Sequence, residues 1–171
     1  MRGHNPPVRF LLMRHGVAVD REVFVGDDAA RPLTAAGHRK MDEIVAGLGA
    51  LELRFDRVLH SPWRRAAETA EHLLPRLTQV QTVCDALAQP PNGETIARLF
   101  ALANGAQGVV LVGHEPFLSA LLGMMLGPCD LSTDWRKGGI ALLDCPAPHA
   151  PATLTAFVPS AWLRMLGRAA T

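Results

Sequence analysis

Cysteine is scarce: Cys84, Cys129 and Cys145 are the only three in 171 residues. Their spacing fits no paired metal-binding pattern, and any single disulfide would leave an odd thiol over. Reduced core or near-surface thiols are therefore expected, with neither a metal nor a cofactor. Charge of one sign is lacking too. Seventeen Lys and Arg against sixteen Asp and Glu leave a formal net charge of +1, and the two signs are interspersed, which excludes a broad nucleic-acid-binding face and an acidic tail. Any anion site must then be local. No apolar run is long enough for a membrane span or a secretory segment, because the run that starts at Val8 is broken by Arg14 and His15. A cytoplasmic monomer with no nucleic-acid or membrane partner is expected. Repeats, low-complexity tracts and interdomain linkers are missing as well, and 49% apolar content suffices for one domain, residues 1–171, burying ~70% of its unfolded surface.

What is present is an alternation of strand and helix signals, the pattern of an α/β fold whose sheet is covered on both faces. The expected order is strand 8–14, helix 34–48, strand 55–60, helix 62–74, strand 80–84, helix 94–104, strand 109–113, helix 116–126, strands near 139–144 and 153–158, and a short helix 160–168. Thr34 suits an N-cap, and Met41, Ile44, Val45 and Leu48 repeat at the helical period, leaving Arg39, Lys40 and Glu43 for the exposed face. Ser61 and Pro62 read as cap and first turn of the next helix, with Pro75 stopping it. The stretch Pro146 to Pro151 reads as a hairpin or loop joining the last two strands.

Three strand ends carry polar chemistry. Arg14, His15 and Gly16 close the first strand, Ser61 to Thr69 (Ser-Pro-Trp-Arg-Arg-Ala-Ala-Glu-Thr) follow the second, and Gly113, His114, Glu115 and Pro116 follow another. Open α/β sheets bind ligands at such strand ends, where the helix N-termini present unpaired N–H groups to anions. Arg64 and Arg65 point about 100° apart on a helix, so one of the two faces the cleft. An imidazole at that edge can attack phosphorus while guanidinium forks hold the phosphoryl oxygens. His4, His38, His60, His72 and His149 stand outside these motifs and read as structural or solvated.

With R-H-G, S-P-x-x-R-A-x-x-T and a late G-H in this order, the chain resembles the histidine phosphatase superfamily. Its length and the segment Arg31-Pro32-Leu33-Thr34-Ala35-Ala36-Gly37 look most like the small SixA-type branch, the phosphohistidine phosphatases. The resemblance runs from Phe10 to about Val158. It implies a three-layer α/β/α sandwich with a mostly parallel sheet, similar to phosphoglycerate mutases, and a metal-independent phosphatase. It further implies His15 as nucleophile, Arg65 rather than Arg64 as the facing arginine, and Arg14, Arg65 and a protonated or donating His114 as phosphate ligands. The Nδ1–H of His15 should be held by an acceptor such as a backbone carbonyl, so that Nε2 points its lone pair at phosphorus. Arg31 either assists phosphate binding or pairs with Asp27 or Asp28, and Thr69 gives Arg65 steric support.

The resemblance places a general acid on the connector after the third strand, where Glu94 is the candidate, with Asp85 and Asp20 as competitors. Glu94 is equally readable as a first-turn residue favoured by the helix dipole. Only Asp85 to Glu94 separate Cys84 from Thr95, too little for a helical lid, so an open cleft is expected. Such a cleft suits a phosphorylated protein (phosphohistidine) partner, with a small phosphoester substrate or a non-catalytic phosphoprotein-binding module as the alternatives.

Overall fold

The computed structural model describes residues 7–74, 76–78, 80–127 and 131–170. Its elements are β1 (Val8–Arg14), α1 (Ala35–Ala50), β2 (Arg57–His60), α2 (Arg64–Leu73), β3 (Gln81–Val83), α3 (Gly93–Leu102), β4 (Gly108–Gly113), α4 (Phe117–Leu126), β5 (Ile140–Cys145), β6 (Thr153–Val158) and α5 (Ser160–Ala169). Two short 3-10 turns, Asp28–Ala30 and Asp85–Ala88, interrupt the loops. They escape periodicity because one turn carries no repeat.

The six strands form one sheet in the order β3-β2-β4-β1-β5-β6. β3, β2, β4 and β1 run parallel, and β5 and β6 run antiparallel as a hairpin. β1 and β4 are central and near-continuous in apolar residues, as strands covered on both faces must be. Phe10 and Leu12 join Val109 and Leu111 in a core under α3 and α4. Leu11 and Met13 join Val110 and Val112 in a second core under α1, α2 and α5. The three-layer α/β/α sandwich is therefore present.

Caps explain several boundaries. Thr34 Oγ1 accepts from Gly37 N–H at 2.8 Å to start α1, and Asn92 and Thr95 close a reciprocal box that starts α3. α2 begins later than expected, at Arg64 with Trp63 in the cap position and no cap bond from the Trp63 side chain; Ser61 Oγ still accepts from Trp63 N–H at 3.3 Å ahead of the first turn. α2 ends at Leu73; Pro75, Cys129 and His4 lie outside the described residues. Cys84 and Cys145 are buried free thiols.

Met41, Ile44, Val45 and Leu48 are buried as their period requires, but the opposite face of α1 is not simply solvent-facing. α5 packs there, so Glu43 binds Arg164 (2.5 Å) and Arg168 (3.1 Å), and Lys40 is half-buried; Arg39 alone of the three is exposed. Glycine makes this helix pair possible. A Cβ on Gly47 would lie 2.0 Å from the Leu163 carbonyl oxygen, and one on Gly167 would lie 2.0 Å from that of Glu43. Among the described residues no helix is long and apolar enough to cross a membrane.

Candidate active site

The sheet order resolves what strand spacing alone leaves open. Because β2, β4 and β1 are neighbours and parallel, their C-terminal ends bring Ser61, Arg65, His114, Arg14 and His15 to one edge. His15, Arg65 and His114 are all buried there.

His15 donates from Nδ1 to the carbonyl oxygen of Gly16 at 2.7 Å. That bond commits the proton to Nδ1 and leaves the Nε2 lone pair facing the cleft, where Arg65 Nε–H meets it at 3.2 Å. Burial holds the His15 pKa well below the usual imidazole value, and His114, Arg65 and Arg14 push the same way against the Gly16 bond. The ring is neutral at neutral pH, as an attacking nitrogen must be. The His114 ring lies 5.0 Å from it, centroid to centroid.

Arg65 is held from behind by the carboxylate and the carbonyl of Asp28, NH2 to Oδ2 at 3.0 Å and NH1 to O at 2.7 Å. Its guanidinium also lies 4.5 Å over the Trp63 ring. Asp28 in turn takes Arg31 at 2.9 Å. Burial alone would raise the Asp28 carboxyl, but Arg31 and Arg65 outweigh it and hold it below its ordinary value. Arg31 thus pairs with Asp28 and with the Val19 carbonyl (2.7 Å), as one of its two expected roles has it. Asp27 caps the 3-10 turn instead.

Arg14 donates to the Trp135 carbonyl at 2.5 Å, while its Nε is buried without a partner. His114 accepts from or donates to Ser61 Oγ through Nε2 at 2.8 Å, and its buried Nδ1 is likewise unpartnered. Burial, reinforced by Arg65 and opposed by Asp28, drives its pKa to about 3. With no anion bound, the imidazole is thus held neutral, and the structure leaves both expectations for His114 toward a bound phosphoryl group, protonated or donating, in place. Two unsatisfied buried polar atoms at one edge are unusual, and both belong to residues of this cluster.

Thr69 does more than fill space. Its Oγ1 accepts from Gly16 N–H at 3.0 Å and donates to the Arg65 carbonyl at 2.6 Å, so it ties the two motif segments together. The Arg31-to-Gly37 segment braces the same region: Thr34 N–H donates to the Val17 carbonyl, and a Cβ on Gly37 would lie 2.1 Å from that oxygen. Arg64 is exposed and pairs with Glu68 at 2.7 Å.

Among the described residues none of the acid candidates bonds to Arg14, His15, Arg65 or His114. Glu94 is exposed in the first turn of α3 and makes no hydrogen bond or ion pair among the described residues. The dipole-favoured reading is the one its position fits. Asp85 and Asp20 are exposed on turns. Asp28, Ser61 and Trp63 were not singled out for this cluster by sequence; Ser61 and Trp63 stood inside a quoted motif, whereas Asp28 had only its neighbour Arg31 as a signal. His60 is buried and bonds the Ser61 carbonyl, His38 and His72 bond each other at 2.9 Å with Asp42 behind His72, and His149 is exposed.

Residues 10–94 match the family model of the histidine phosphatase superfamily (branch 1). An uncharacterised protein of Picosynechococcus sp. is 37% identical over 110 residues, which cover 61% of this chain and 65% of that relative, just under two thirds of its length. Among solved structures, the protein histidine phosphatase SixA complexed with tungstate has a TM-score of 0.78 at 24% identity, covering 90% of this chain and 98% of that one. A protein proposed to be the phosphohistidine phosphatase SixA of Agrobacterium tumefaciens has a TM-score of 0.71 at 29% identity, covering 89% and 98%. A proposed α-ribazole-5′-P phosphatase of Escherichia coli K-12 has a TM-score of 0.67 at 20% identity, covering 90% and 97%.

Proposed function

Since the chain belongs to the histidine phosphatase superfamily, we propose that it is a phosphatase that works through a phosphohistidine at His15. The observation that carries this is the bond from His15 Nδ1 to the Gly16 carbonyl, which leaves Nε2 unprotonated at a buried cationic edge. An incoming phosphoryl group takes the Arg65 N–H now resting on Nε2, and the unpartnered Arg14 Nε and His114 Nδ1 supply further donors. The Nε2–phosphorus bond forms in line as the bond to the leaving group breaks. Water then adds to phosphorus, the Nε2–phosphorus bond breaks, and inorganic phosphate departs. Loss of one such donor should cost ~3 kcal/mol of transition-state stabilisation, by analogy with an oxyanion-hole donor. The arginines supply the positive charge, so turnover is expected to survive EDTA.

For the substrate we favour phosphohistidine on a protein partner, met in the cytoplasm. This reading is supported by the absence of any hydrogen bond from Glu94, Asp85 or Asp20 to the His15 cluster among the described residues, and between β3 and α3 only the Asp85–Ala88 turn intervenes. A leaving imidazole has a conjugate acid near ~6.5 and departs with little help, whereas an alkoxide resembles hydroxide, whose conjugate acid water is near ~15.7. A small phosphoester is the second reading, favoured by the likeness to an α-ribazole-5′-P phosphatase structure.

The test is to mix the protein with a labelled phosphoryl donor and quench rapidly. Acid-labile, alkali-stable label on His15 is expected. Label on another residue would overturn the nucleophile, and a preference of orders of magnitude for a metabolite phosphoester over phosphohistidine protein would select the second reading.

A further inference from the structure

The loop that leads into β5 brings a cation that sequence reading did not single out. Trp135 gives its carbonyl to Arg14, and Gly138 N–H donates to the carbonyls of Arg14 (3.0 Å) and His15 (3.2 Å). Lys137 is thereby fixed at the end of β1. A cavity of about 70 Å³ opens there, lined among others by Gly16, Val17, Lys40, Lys137, Ser160 and Arg164. A single water needs ~10–15 Å³ of such space, so the cavity can take a phosphate- or carboxylate-sized group.

Its charge is one-sided. Arg164 is satisfied by Glu43 at 2.5 Å. Lys40 and Lys137 are both half-buried, and among the described residues neither makes a hydrogen bond or an ion pair. Burial lowers the pKa of Lys137, and Arg14, Arg31 and Arg65 push it further down, opposed by Asp20. A desolvated ammonium in a positive field is an unfavourable arrangement that a bound anion would relieve. Ser160, the first residue of the ten-residue helix α5, adds a hydroxyl and the unpaired N–H groups of the helix start.

We propose that Lys40, Lys137 and Ser160 form a second oxyanion site beside the candidate active site, which takes a second phosphate or carboxylate carried by the same substrate. The two sites share a wall, because Gly16 and Val17 directly follow His15. The substrate-borne half of this assignment rests on the phosphatase reading. The oxyanion site itself does not.

The test avoids turnover. Inorganic phosphate is titrated calorimetrically at low ionic strength into the wild type, Arg65→Ala and the double variant Lys40→Gln/Lys137→Gln. Two phosphates per chain are expected for the wild type and one for each variant. Alkyl bisphosphonates with two to six methylenes are then compared with matching monophosphonates; at the best spacer the bisphosphonate should bind at least tenfold more tightly to the wild type, and this ratio should fall towards one in the double variant. Ser160→Ala should reduce the same ratio with the lysines intact. A single phosphate on the wild type, a second phosphate that survives loss of both lysines, or no bisphosphonate advantage at any spacer would overturn the proposal. The label-trapping experiment on His15 reads the phosphatase assignment separately, so the two fail independently.

Discussion

The edge of the sheet at His15 and the contact between α1 and α5 are built on opposite principles. At the edge, side chains are buried or half-buried although they are polar, and each is held by a directional bond: His15 by Gly16, Arg65 by Asp28, Arg14 by Trp135. Between the helices, side chains are removed so that backbones can meet, with Gly47 against Leu163 and Gly167 against Glu43. The first arrangement leaves Arg14 Nε and His114 Nδ1 without a protein partner, and an incoming anion could take up both. The glycine contact itself adds no buried side-chain polar atom without a partner among the described residues. Function and stability should therefore separate cleanly between the two regions.

The sharpest way to break that separation is to substitute each region and read both properties. His15→Ala should lower turnover ~10⁴-fold or more, as loss of a nucleophile does, while the urea midpoint at pH 7 stays put or rises. A comparable loss of stability would mean that the edge is structural after all. Gly47→Ala should do the reverse. Its Cβ meets a backbone carbonyl at 2.0 Å, so helices must part at a cost of about 3 kcal/mol, and kcat of the folded protein should stay within a factor of two.

Much of this contrast was legible in sequence, and the part that was not has a common cause. Apolar runs end in Arg14, His60 and Gly113 as the strands do, Thr34 caps α1, and Pro146 to Pro151 joins β5 to β6. These are local signals. The partner of Arg65 lies 37 residues away at Asp28, Thr69 reaches Gly16 across 53, and α5 covers α1 from 121 residues further on at Arg164. Composition and period carry no information about such pairings. Ser61 shows the same limit: its hydroxyl accepts the Trp63 N–H at the helix entry, a local bond, and also meets His114, a neighbour that only the sheet order supplies.

Acid sharpens the comparison further. His114 has a folded pKa of about 3, below the ~6.5 of an unfolded histidine. Above pH ~6.5 both states are neutral there and stability is flat; as pH falls below it the unfolded chain binds a proton that the fold refuses, and stability drops. His114 alone should cost about 2 kcal/mol by pH 5, and His15, shifted the same way, adds to it. Urea midpoints from pH 7.5 to 5 should fall steeply for the wild type, less steeply for His114→Asn, and in parallel with the wild type for Gly47→Ala. Equal slopes for the wild type and His114→Asn would show that His114 is not held neutral.

The smallest expected effect lies at the joint between the two designs. Thr69 belongs to α2, yet its hydroxyl accepts the buried Gly16 N–H and donates to the Arg65 carbonyl. Thr69→Val keeps the shape and removes both bonds. An orphaned buried N–H costs roughly 1–3 kcal/mol, and the low end is expected if the Gly16 N–H can turn to another acceptor once the hydroxyl is gone. Stability should therefore fall by about 1 kcal/mol. Turnover should fall by about tenfold, through a raised barrier rather than weaker binding, because Gly16 also supplies the carbonyl that orients His15. Thr69→Ser, which restores the hydroxyl but not the methyl, should recover most of the rate with less of the stability. If Thr69→Ser recovered stability and left the rate low, the methyl rather than the hydroxyl would be what positions His15, and Thr69 would belong with the packing of α2.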